Sequence, residues 1–231
     1  MKKLKYIRIV LSLLTVAFVS CDDNLDITPE DALVTDIAIK DPANIQKLLV
    51  STYGIARSSS SYGGNIALAS ELIANDGDIY WNGTYVQPAE FDEKAMLPDN
   101  SYVRDIWMNG YRINNQANII LASLSVVTNA NDKSRLEGEA KFLRAFMYFT
   151  LVKTYGGVPI IDHLPNPSSE EDRVMQLTRK SSEEVYAYIE NDLNDAIAAL
   201  PNKSAYPASE RGRASKGAAY ALLAKINLYQ E

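Results

Sequence analysis

RLEGEAKFLRAFMYFTLVKTYGGVPIID, running from Arg135 to Asp162, decides the fold of this chain. Leu136, Ala140, Leu143, Met147 and Leu151 follow three-or-four spacing, and Phe142, Ala145, Phe149 and Val152 do so on a neighbouring face. Side chains at that spacing share one side of a helix, so the helix expected over 132–155 is apolar around most of its girth. Such a helix has to be buried between other elements. Gly156-Gly157 ends it, and Val158-Pro159-Ile160 continues as extended chain. The pattern has an echo 79 residues on: Gly138, Ala140, Leu143 and Ala145 read GxAxxLxA, and so do Gly217, Ala219, Leu222 and Ala224. The same offset places Ala117 on Ala196 and Leu121 on Leu200, so both helices of a hairpin recur. A helix pattern repeated at a fixed offset marks stacked hairpins, which build binding surfaces more often than active sites. Glycine inside a helix costs about 1 kcal/mol, so Gly138 and Gly217 are expected to allow close backbone approach.

Working outward, Asp41-Pro42 reads as an N-cap with proline at the first helical position, where its missing N–H is no loss, and Ile45, Leu48, Leu49, Tyr53 and Ala56 follow. A shorter helix covers Asn65–Ala74. Asn75–Asn100 holds Gly77, Gly83, Pro88 and Pro98, loses the periodicity, and reads as a long irregular excursion of the kind that carries function. Ser101–Val127 is helical again, with Trp107 and Tyr111 one turn apart on its apolar stripe as core residues. Gly156–Lys180 is an inserted connection in which Glu170-Glu171-Asp172 reads as solvated loop. Ser181 and Glu184 form a capping box opening a helix that Pro201 closes. The last helix, Arg213–Gln230, reaches Glu231 without a stop signal, which reads as a fragment or as a terminus that more sequence covers. Arg144, on a buried helix, is expected in a structural ion pair or capping carbonyls.

Met1–Arg8 is basic, Ile9–Val19 is apolar, and Ser20 precedes the only cysteine, Cys21. Eleven apolar residues are too few to cross a bilayer, which needs about 20, so 1–20 reads as a secretory signal. A lone cysteine placed there resembles the bacterial lipoprotein box, which makes Cys21 the acylated first residue of the mature protein and residues 21–40 a tether and entry loop; a plain signal peptide is the alternative. The acidic start Asp22-Asp23-Asn24-Leu25-Asp26 resembles the surface-export signal of Bacteroidetes lipoproteins.

The chain has 231 residues, 47% hydrophobic and 23% charged, an ordinary globular composition. One cysteine allows no internal disulfide. One histidine, His163, argues against a Ser-His or multi-His zinc site. Beyond position 20, 19 basic residues face 29 acidic ones, a net charge of −10 that repels nucleic acid.

The run from Arg135 through Gly138-Glu139-Ala140-Lys141-Phe142-Leu143-Arg144-Ala145 to Tyr155-Gly156-Gly157-Val158-Pro159 resembles the SusD/RagB family of Bacteroidetes outer-membrane lipoproteins. Glu184-Val185-Tyr186, Asp192-Leu193 and Ala199-Leu200-Pro201 are similar to its next segment, and Gly212-Arg213-Ala214-Ser215-Lys216-Gly217 to the one after. The match spans Cys21–Glu231 but only the family's N-terminal portion. The resemblance implies an all-α fold of tetratricopeptide-like helical hairpin repeats with long irregular loops packed over them, occupying 41–231. It also implies capture of an oligosaccharide, sometimes a peptide, at the cell surface and delivery to a SusC-like TonB-dependent transporter. It calls for no cofactor.

Sugars are held by aromatic faces that pack against their C–H bonds and by amides and carboxylates that bond their hydroxyls. Asn75–Tyr85 is the densest such cluster, and on chemistry Asp78, Tyr80, Trp81 and Asn82 are the expected ligand contacts, with Tyr85 beside them. The competing reading is that Tyr80 and Trp81 staple the loop to the helices. Asp76-x-Asp78 begins like a calcium loop, but Tyr80 stands where the third oxygen ligand belongs and Gln87 where the twelfth-position Glu belongs. Three functions compete: a glycan receptor, a helical scaffold for a protein or peptide, and a glycoside hydrolase. The last needs two carboxylates about 5–9.5 Å apart in a cleft, and no acidic pair stands out.

Overall fold

Asn129 opens the central helix by accepting the backbone N–H groups of Asn131 and Asp132 on its side-chain oxygen, and the helix runs unbroken over Ala130–Tyr155. In the computed structural model, which describes residues 40–74 and 80–230, every regular element among the described residues is helical. These are α1 (Pro42–Ala56), α2 (Asn65–Ala74), α3 (Val86–Asp92), α4 (Ser101–Ala122), α5 (Ala130–Tyr155), α6 (Glu170–Leu177), α7 (Ser182–Ala199) and α8 (Lys216–Leu228), with three short 3-10 turns. The signal segment, Cys21 and its tether up to residue 39, and Asp76 and Asp78 lie outside the described residues.

α5 is buried on both flanks, as its composition requires. Leu136, Ala140, Leu143 and Met147 join Ile45 and Leu49 of α1 and Ile106, Ile113, Ala117 and Ile120 of α4 in one core. Ala145, Tyr148, Phe149, Leu151 and Val152 join Val185, Ile189, Leu193 and Ala196 of α7 and Ala219, Leu222 and Ile226 of α8 in the other. The hairpin α4–α5 therefore stacks on α7–α8 in the expected repeat order. Gly138 permits that contact: a Cβ there would stand 2.8 Å from the Leu200 side chain. Gly217 does not behave as its counterpart, because a Cβ on it would meet nothing within 4 Å.

Local signals place the helix starts. Asp41 accepts the Ala43 N–H at 2.9 Å, with Pro42 at the first position. Ser181 and Glu184 complete their capping box. α8 starts at Lys216 under a Ser215 cap, three residues after the expected start, because Arg213 is drawn to Glu139 (3.3 Å) and Glu210 (3.1 Å).

Two segments expected to be irregular contain helices. α3 forms inside the excursion because Pro88 sits in its first turn, where a proline removes no internal hydrogen bond. α6 forms where Glu170-Glu171-Asp172 was expected as solvated loop. Ser169 caps it, and the three acids occupy its first turn, where the helix dipole favours negative charge.

The inserted connection is anchored from the core. Arg144 donates to both carboxylate oxygens of Asp192 (2.7 and 2.8 Å), to Asn118 Oδ1 and to the Asp162 carbonyl. Asn118 donates to the carbonyls of Ile161 and His163, Tyr111 to that of Pro159, and Ile161 N–H donates to the Tyr148 hydroxyl. The expectation of a structural pair capping carbonyls holds for Arg144. Trp107 and Tyr111 pack ring to ring at 4.9 Å against the same core.

Further along, His163 lies between two carboxylates, with Nδ1 2.5 Å from Asp162 and Nε2 3.3 Å from Asp172. Hydrogen bonding to Asp162, then to Asp172, holds its imidazole above the ordinary value of 6.5. A raised value means that the stabilisation from protonated His163 is full below 6.5 and is lost as pH rises through the folded-state value. Because His163 is the chain's only histidine, its ring protons give a single NMR titration. We expect a midpoint above 6.5, moved down by Asp172→Asn; a midpoint at or below 6.5 would show that the two carboxylates do not hold the charged ring.

Candidate functional site

The expected contact loop is folded back on its own indole. Trp81 donates its backbone N–H to Asp92 Oδ2 at 2.8 Å, which ties the loop to the end of α3. The Trp81 ring packs against the small cluster of Ala69, Leu72 and Phe91. Gly83 then passes flat over the ring, where a Cβ would stand 2.4 Å from Cζ2, so only glycine fits without moving the indole. The indole Nε1–H is buried with no hydrogen-bond partner.

The two ends of the loop behave differently. Tyr80 is 71% exposed and Tyr85 69%, and Asn82 is exposed between them. The aromatic residues of the cluster thus divide: Trp81 takes the stapling role, while Tyr80 and Tyr85 present their rings to solvent.

Below the loop, Asn100 organises the return to α4. Its side-chain oxygen caps α4 at Tyr102 and Val103, and its amide donates to the Gln87 carbonyl and to Glu90 Oε2. Glu90 also accepts the Leu97 N–H, and that bond, followed by the one from Asn100, holds its carboxyl below the usual range. Asp92 and Glu90 each spend an oxygen on a backbone N–H, which fits them for positioning a loop. Sequence reasoning missed Asp92, Gly83 and Glu90 as supports. Asn100 was visible in principle, since Asn followed by Ser at a helix start is a capping signal.

Cavities of small-ligand size also occur among the described residues. One, of about 670 Å³, lies between α2, the 96–98 turn and the C-terminal end of α5. Another, of about 690 Å³, is lined by Val50, Tyr53 and Arg57 of α1 and by Ser209, Gly212 and Arg213.

Known proteins carry this architecture. Residues 23–228 match the family model SusD-like_3, described as starch-binding and associating with the outer membrane. SusD-like protein P2 of Formosa agariphila is 31% identical over 229 residues, covering 99% of this chain and 43% of that protein. The starch-binding protein SusD of Bacteroides thetaiotaomicron is 32% identical over 119 residues, 52% of this chain and 19% of that one. Among solved structures, a SusD-like protein of Bacteroides fragilis superposes with a TM-score of 0.71 at 27% identity, over 88% of this chain and 38% of that one. A laminarin-binding SusD-like protein gives 0.69 at 28% identity, over 83% and 41%. The chain spans less than half the length of each of these relatives. With a family match over almost its whole length and the same stacked hairpins, this chain belongs to the SusD-like family.

Proposed function

We propose that this protein captures oligosaccharide at the bacterial surface without cleaving it and passes it to a SusC-like TonB-dependent transporter. In this reading residues 1–20 are removed, Cys21 carries the lipid anchor, and the outer membrane is the site of action. The observation that carries the proposal is the pair of exposed tyrosines, Tyr80 and Tyr85, at the ends of a loop pinned by Trp81 and Asp92. A flat ring held in water costs little to desolvate against the C–H face of a sugar, and a pinned loop pays little ordering entropy on binding. Asp78 and Asn82 would supply acceptors and donors for hydroxyls. The starch- and laminarin-binding descriptions of the relatives support the choice of ligand class.

Calorimetry with malto- and laminari-oligosaccharides tests it. Tyr80→Ala and Tyr85→Ala are each expected to weaken binding roughly 2- to 10-fold, the scale of a single aromatic contact. Trp81→Ala is expected to weaken it further and to lower the melting temperature as well, because the staple is lost. A bound glycan whose affinity none of the three substitutions changes would show that the site lies elsewhere.

A second reading has an observation behind it. Val86, Met96 and Leu97 are exposed beside the loop, an apolar fringe that suits a peptide or protein ligand better than a sugar. Binding of apolar peptides in the same assay, without any glycan response, would favour it.

A further inference from the structure

The 670 Å³ groove is a separate feature from the tyrosine loop. Ile66 and Ile73 of α2, Phe91 of α3, Ile106 of α4, and Met96 and Leu97 in the turn before α4 make its walls. Among the described lining residues only one carries a formal charge, Lys153 near the end of α5. Its ammonium sits over aromatic rings, 4.8 Å from the Phe149 centroid and 5.7 Å from that of Tyr229. The charged neighbour that acts on it is Lys225, a like charge. Burial, then Lys225, pulls its pKa below the ordinary lysine value. Lys153 is exposed, so its ammonium is open to a ligand from solvent, and among the described residues no carboxylate pairs with it.

We infer that this groove binds a small amphiphilic monocarboxylate, its apolar body along the α2 wall and its carboxylate on Lys153. The volume falls in the range of small-ligand pockets and, at about 30 Å³ per water, holds roughly 20 heavy atoms. A single ammonium matches a single negative charge. A phosphate monoester, close to −2 at neutral pH, would leave half its charge unpaired. The proposal is independent of the glycan reading, because no described groove residue belongs to the proposed sugar contacts.

The test uses the whole chain with two fluorescent probes of one shape. 1-Anilinonaphthalene-8-sulfonate carries an anion, and N-phenyl-1-naphthylamine is the same body without it. The anionic probe is expected to bind one per chain and to be displaced by dodecanoate. Lys153→Gln is expected to weaken anionic probe and dodecanoate about 10-fold while changing the neutral probe less than about 2-fold, the scale of one charged hydrogen bond. Ile73→Glu, at an exposed wall position, is expected to weaken both probes without moving the melting temperature. Failure of the anionic probe to bind, equal loss of both probes in Lys153→Gln, or failure of dodecanoate to compete would each overturn the proposal. So would sedimentation showing a dimer that Ile73→Glu dissociates, since the groove would then be a face between copies of this chain.

Discussion

Replacing Arg144 with alanine is expected to cost about 3–5 kcal/mol of stability, the range for removing one partner of a buried ion pair. Arg144 is 5% exposed and Asp192 4%. The guanidinium serves four acceptors: both oxygens of Asp192, the Asn118 side chain and the Asp162 carbonyl. Without it the Asp192 carboxylate is left in a medium that already pushes its pKa upward by desolvation, with its main opposing charge gone. The Asn118 amide oxygen and the Asp162 carbonyl lose their donor at the same time, and an unpaired buried polar group carries its full desolvation cost. Urea unfolding gives the number. Arg144→Lys is expected to recover only part of it, because an ammonium cannot reproduce the planar fork. The double change Arg144→Met with Asp192→Leu is expected to recover more than either single change, since no charge is then stranded. A loss below about 1.5 kcal/mol in Arg144→Ala would mean that water reaches Asp192 and that the network is not the anchor described above.

The second large effect is expected at Gly157. A Cβ there would lie 2.1 Å from the Lys180 carbonyl oxygen and 3.2 Å from its carbon, with Ser181 Cα at 3.3 Å. All three obstacles are backbone, so nothing can swing aside and the two strands of chain must part. That separation breaks the Lys180 N–H bond to the Val158 carbonyl and disturbs the bond from Arg179 to the Gly157 carbonyl. It also shifts Ser181, which caps α7. Gly157→Ala is expected to cost about 3 kcal/mol, a fall of roughly 6–12 °C in melting temperature for a chain of this size. Gly212→Ala is the control: its Cβ would meet nothing within 4 Å, so the same methyl there should leave stability unchanged or slightly raised. Equal effects at the two positions would refute the clash.

The contrast between these residues shows which parts of the structure a sequence can reveal. α5, α4 and α7 were legible because their signals are local: a stripe at helical spacing, Asp41-Pro42 before α1, Ser181 and Glu184 before α7. The 79-residue echo carried the order of stacking, since Ala117, Ala140, Ala196 and Ala219 are all fully buried. α3 was hidden by Pro88, which reads as a breaker unless its position within the turn is known. α6 was hidden by its acids, which look like surface until Asp172 is seen accepting the Asn166 N–H at 2.6 Å. The partners of Arg144 lie 18, 26 and 48 residues away, beyond any local rule. At the candidate site, composition picked out the aromatic cluster. Only tertiary packing separated Trp81, covered by Gly83 and resting on Phe91, from Tyr80 and Tyr85 in solvent.

One bond described above has a wider meaning. The chain leaves α5 at Gly157-Val158 and comes back at Lys180, and the Lys180 N–H bond to the Val158 carbonyl closes that passage like a drawstring. Beyond the tie, the bonds described above from α4 and α5 reach the connection at Pro159 to His163, ahead of the turn that leads into α6. Closure entropy grows only slowly with length, about 0.6 kcal/mol per doubling. The exposed turn at Pro167-Ser168 is therefore a natural splice point, where a reporter or affinity module can be carried without retuning the stack beneath it.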